Sequence, residues 1–152
     1  MLRRYESEEV VEHLVRTLHH FSEGGLQHIQ SILYWNCAKP ILSFLESKVT
    51  KTIKSLALTT LGNLTTGVQS QIEVLMDLKV LVYLEPLLSD NTKLTRKQAA
   101  WVLSNIIATG PEIIESVFKY EDGLLLKKLF EMIKKDDAKV FPSLCSLLDS
   151  YL

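Results

Sequence analysis

Apolar residues recur along this chain at helical spacing, and the stretches that carry them come in rounds. HLVRTLHHFSEG, SLALTTLGNLTTG and AAWVLSNIIATG each end on a glycine, and these glycines, Gly24, Gly67 and Gly110, are 43 residues apart. A second apolar stretch follows each one: LQHIQSILYW, VQSQIEVLMDL and PEIIESVFKYE. A third comes next: AKPILSFLES, VLVYLEPLLSD and GLLLKKLFEMIKK. The pattern predicts a repeated unit of a short, a medium and a long helix. Strand signals are lacking, because no run alternates apolar and polar residues for long and no hairpin turn joins two such runs. Glycine at the end of each long stretch suits a helix terminus. Pro111 suits the first position of a new helix, where its missing N–H costs little. Pro86 sits late in a helical pattern and predicts a kink or an early stop.

The long stretch decides the packing. Ala99, Val102, Leu103 and Ile106 share one face, and Ala57, Thr60, Leu61 and Leu64 take the same places one repeat earlier. One repeat cannot bury such a face alone, but stacked neighbours can. A period near 43 with three helices fits the armadillo and HEAT class, whose repeats run about 40–47 residues. The expected fold is therefore all-α, a right-handed armadillo-type superhelix. It divides as one domain over 1–152, with a leading partial repeat at 1–23 and repeats near 24–66, 67–109 and 110–152. The last long helix is expected within 137–152. Neither end carries a strong cap pattern, which points to a piece or shortened relative of a longer array.

Composition adds exclusions. Hydrophobic residues make up 47% and charged residues 23%, a globular balance. The net charge is −1, so no global basic field would recruit nucleic acid. Cys37 and Cys145 are isolated, which gives neither a disulfide framework nor a metal spacing. The start, MLRRYESEEVVEH, turns acidic before any apolar run, unlike a signal peptide. No stretch of about 18 apolar residues would span a membrane.

Function is expected on what the core stripe leaves over. At about 100° per residue, Trp101 and Asn105 point away from the stripe, with Gln98 beside them and Ser104 at the edge. One repeat earlier, Thr59, Asn63 and Thr66 take the outward positions. An outward Trp forfeits about 1.5–3 kcal/mol of burial, unless a neighbouring helix covers it after all. Asn carries a donor and an acceptor, so it can hold the backbone of an extended peptide whatever its side chains. Trp one turn earlier makes a wall for Lys or Arg stems, with cation–π attraction of about 0.5–2 kcal/mol.

These residues carry a family resemblance. KLTRKQAAWVLSNIIATG, with its Trp101-x-x-x-Asn105 pair, resembles the third helix of an importin-α armadillo repeat. LALTTLGNLTTGVQSQ, with Gly62, Asn63, Thr66 and Gly67, is similar to the repeat before it. The best fit is to the C-terminal half of that solenoid, around the minor site for nuclear-localisation peptides. The resemblance implies an adaptor in nuclear protein import, working in cytoplasm and nucleus. It would hold an extended basic peptide in its concave groove through Asn63, Thr66, Gln98, Trp101, Ser104 and Asn105. Arg16, His20, Thr59 and Asp149 take further groove positions. An importin-β-type carrier is implied if the chain is part of a longer one, although the family's basic importin-β-binding segment has no counterpart in this sequence. No cofactor, nucleic acid or membrane is implied. The sequence departs from the family at Thr59, where a Trp or Arg often stands, and at Gln98 and Gln69, where acids are common. The backbone clamp is thus partly present and the charge readers are depleted.

Other clusters weigh less. His13, His19, His20 and His28 gather early, but adjacency is expected to keep His19 and His20 off a common face, so no metal site is expected. No phosphate loop or nucleophile elbow is present, so no enzyme is expected. Glu112, Glu115, Glu121 and Asp122 make an acidic stretch, and Lys127, Lys128, Lys134 and Lys135 a basic edge. The alternative to peptide transport is a general armadillo scaffold that meets a folded partner through its exposed end helices.

Overall fold

The computed structural model describes residues 7–46 and 48–136. The described residues are helical, without a strand. They form two compact units divided between Leu78 and Lys79, a cut that falls inside the repeat expected at 67–109.

The first unit holds α1 (Glu8–Ser22), α2 (Leu26–Tyr34), α3 (Ala38–Glu46), α4 (Lys51–Leu64) and α5 (Gln69–Asp77). Within it α1 and α3 both pack on α4, and α2 packs on α5. Like helices therefore stack on like, as a solenoid requires. The α4 helix starts where Thr50 accepts a hydrogen bond from the Ile53 N–H at 3.3 Å. Its Ala57, Thr60, Leu61 and Leu64 stripe is wholly buried, as the pattern predicts.

One residue ties α5 to α2. Gln71 is 4% exposed. Its Oε1 accepts from the Val68 N–H at 3.2 Å, and its Nε2 donates to the Leu26 carbonyl at 3.3 Å and to Gln30 Oε1 at 3.0 Å. A Cβ on Gly67 would run into Gln71 Oε1, so the glycine leaves room for this amide. Gly25, ahead of α2, has φ +85, a conformation that favours glycine.

The second unit holds α6 (Val80–Leu87), α7 (Lys93–Ile107), α8 (Pro111–Lys119), a 3₁₀ turn (Tyr120–Gly123) and α9 (Leu124–Asp136). Here α7 packs on α6, α8 and α9. Ala99, Val102, Leu103 and Ile106 are fully buried. Pro111 opens α8, and α6 stops one residue after Pro86, the early end that proline predicts. Glu121 and Asp122 sit at φ 42 and 54, a left-handed pair that turns the chain into α9.

Helix lengths correct one expectation. In the first two rounds the first and second helices do not differ as short and medium: α2 and α3 have nine residues each, and α5 and α6 nine and eight, whereas α8 has nine and α9 thirteen. In α6, Pro86 and the turn at Ser89–Asp90 cut the helix short. The long last helix expected within 137–152, with Cys145 and Asp149, lies outside the described residues.

Candidate functional site

On α7 the buried stripe fixes which side chains face outward. Trp101 stands off that stripe and is 38% exposed, so no neighbouring helix covers it fully. Gln98, Ser104 and Asn105 are half-buried around it. Ser104 Oγ donates to the Trp101 carbonyl at 2.8 Å, and Thr109 Oγ1 donates to the Asn105 carbonyl at 3.1 Å. Both hydroxyls thus bond their own helix, and the open indole is what this surface offers an incoming side chain.

The α4 surface is built differently. Thr59 Oγ1 donates to the Ser55 carbonyl at 2.9 Å, and Thr66 Oγ1 to the Asn63 carbonyl at 2.8 Å. The Asn63 amide donates to Ser22 Oγ at 2.9 Å. Ser22 is buried, and its own hydroxyl donates to the His19 carbonyl at 2.6 Å. Asn63 therefore pins α1 to α4.

On α1, Arg16 pairs with Glu12 at 2.6 Å, and His20 Nδ1 lies 3.2 Å from Glu23. Asp149 falls outside the described residues. The basic edge is weakened, because Lys128 pairs with Glu85 and also donates to its carbonyl. The acidic stretch is exposed, and Glu115 is held below the ordinary carboxylate range by its hydrogen bond to Lys119 and by that ammonium's charge. Tyr120 is pushed up, first by burial and then by Glu121 and Glu85. Gln69 donates to Glu73 at 3.0 Å, so it serves α5's own surface.

Three features escape the helical wheel. Ser22 and Gln71 are buried polar links, and both have partners about one repeat away: Asn63 lies 41 residues from Ser22, and Gln30 lies 41 from Gln71. Polar residues one period apart are the signal that reveals such pairs. The third is the end of α1. Adjacency does not keep His19 and His20 apart, because their ring nitrogens and a Glu23 oxygen all lie within 4.8 Å of one another.

No family model matches the sequence. The chain is 31% identical over 112 residues, 72% of its length, to importin subunit alpha-1a of Oryza sativa subsp. japonica. It spans about a fifth of that relative's length, 21%. It superposes with a TM-score of 0.84 on a designed armadillo repeat protein in complex with the peptide (KR)4, at 22% identity, over 97% of this chain and 60% of that one. Computationally designed armadillo repeat proteins for modular peptide recognition give the same TM-score and identity over 95% of this chain and 59% of theirs. Stacked three-helix rounds, a period of 43 and these likenesses agree: the chain is an armadillo-repeat protein of importin-α-like sequence.

Proposed function

We propose that the chain is an importin-α-like adaptor module that holds an extended basic peptide, of the nuclear-localisation type, for nuclear protein import. The observation that carries this reading is Trp101, an indole left 38% exposed on α7 with Asn105 one turn further along. The indole face takes the stem of a Lys or Arg, and Asn105 takes the peptide backbone. Gln98 and Ser104 flank them. On α4, Asn63, Thr66 and Thr59 form a lesser counterpart, since Thr59 stands where α7 has Trp101. Arg16 and His20 would add contacts on α1. With Gln98 where an acid often stands, selectivity for basic side chains is low. The designed relative's (KR)4 peptide supplies the probe chemistry. An importin-β-type carrier and a place in both cytoplasm and nucleus belong to the same reading, and none of the described helices is long and apolar enough to cross a membrane.

Isothermal titration with a Lys/Arg-rich peptide tests it. Saturable heat is expected, and Trp101→Ala combined with Asn105→Ala should abolish it. No heat, or equal heat from that double variant, overturns the reading.

A second reading, the general armadillo scaffold, has its own support on α1. Val10, Leu14 and Phe21 are 54, 52 and 44% exposed. One period of 43 on, their counterparts Ile53, Ala57 and Leu64 are buried on α4, the helix on which α1 and α3 pack. The exposed stripe thus has the register of a stacking face. A folded partner that docks there should survive Trp101→Ala in a pull-down and be lost with Leu14→Asp.

A further inference from the structure

The last turn of α1 brings together three groups that the peptide reading does not use as a set. The i,i+4 spacing of a helix stacks His19 under Glu23, and the i,i+3 spacing brings His20 to the same carboxylate. His19 Nε2 lies 3.7 Å from Glu23 Oε1, and His20 Nδ1 lies 3.2 Å from Glu23 Oε2. The three ligand atoms fall within 4.8 Å of one another. We propose that His19, His20 and Glu23 form a binding site for a zinc-type transition-metal ion.

Distance, donor type and preorganisation support the site. Zinc bonds of about 2.0–2.2 Å in a tetrahedron set its ligand atoms about 3.3–3.5 Å apart. The two carboxylate–imidazole separations bracket that spacing. The remaining closure falls to His20 and Glu23, whose side chains are 66 and 55% exposed and can turn. His19 supplies the fixed point, with a side chain only 16% exposed. Its Nδ1 is buried and has no hydrogen-bond partner among the described residues, which leaves Nε2 as the ring nitrogen open to a ligand. Two imidazole nitrogens and one carboxylate suit zinc, nickel or copper better than magnesium or calcium, which prefer all-oxygen sets. Glu23 also caps α1: its backbone N–H donates to the His20 carbonyl, and the Gly24 N–H to the Phe21 carbonyl. The negative end of the helix dipole therefore faces the cation. The exposure of His20 and Glu23 leaves room for water in the fourth position.

The site makes no use of Trp101 or Asn105 and shares only His20 with the peptide reading. The test titrates zinc chloride into the full chain carrying Cys37→Ser and Cys145→Ser, which removes the competing thiols. One zinc per chain is expected. His20→Ala and Glu23→Gln, both at exposed side chains, should each weaken binding by about tenfold or more, at least what loss of a supporting shell residue costs. Long-range proton–nitrogen NMR of the imidazoles should show zinc on Nε2 of His19 and Nδ1 of His20, with His13 and His28 unmoved. Absence of saturable binding, binding unchanged in both variants, or shifts centred on His13 or His28 would each overturn the site.

Discussion

The third-position helices α4 and α7 begin at residues 51 and 93 and share one inner stripe, yet they differ on the outside. Leu61 and Leu103 are both fully buried. Outward, α7 shows Trp101 open to solvent, whereas α4 shows Thr59, its hydroxyl turned back on the Ser55 carbonyl. The Asn that α4 shares with α7 is drawn into the packing by Ser22. The lesson is that an armadillo repeat keeps its core under strict control while its outer face changes trade. The same outward register carries a threonine bonded to its own helix on α4 and an open indole on α7.

The comparison breaks most severely if the two cores are unequal. Leu61→Ala and Leu103→Ala should each cost about 2–5 kcal/mol, because each empties a fully buried site. Urea denaturation followed by circular dichroism measures both, and a neutral outcome for either would mean that its stripe is not a shared core. The outer faces come next. Trp101→Ala should weaken a Lys/Arg peptide by about 2 kcal/mol, the usual scale of an aromatic hot spot, while Thr59→Ala leaves affinity nearly unchanged. Equal losses would erase the distinction between the helices.

A smaller effect tests the role of Asn63. Its replacement by Ala should lower stability by about 1 kcal/mol, since it removes the hydrogen bond to buried Ser22. Pairing it with Ser22→Ala in a double-mutant cycle should show coupling between the two sites, and strict additivity would deny the link. The smallest effect lies on α8. The Glu115 carboxyl is lowered by Lys119, so the pair's contribution is present above the ordinary carboxylate value and fades as pH falls through the lowered one. Because both groups are exposed, Glu115→Gln should barely move the acid-unfolding midpoint.

The repeat itself was legible in the sequence. Glycine spacing, Pro111 and the Ala-rich stripe report local backbone and burial needs, which pattern carries directly. Trp101 was legible too, because a large apolar residue off the stripe stands out on a helical wheel. The Ser22–Asn63 bond was not, because a wheel assigns a face without naming what lies opposite. The convergence at the end of α1 was missed for a related reason. Adjacent Cα–Cβ bonds diverge by about 100°, but long side chains can lean back toward a shared carboxylate one turn on. The early end of α6 was legible at Pro86, but relative helix lengths were not, because apolar periodicity is silent on ends.

The buried Gln71 has a consequence for how such a chain can change over evolution. It reads two things at once, the start of its own helix at Val68 and the facing atoms of Leu26 and Gln30. One residue inserted between Gly67 and Gln71 would rotate the amide by about 100° around the helix and strand all three bonds. Length changes are therefore least tolerated at this junction, although it looks like an ordinary surface turn. Drift in this protein should leave the Gly67–Gln71 spacing intact long after the outward side chains have been exchanged.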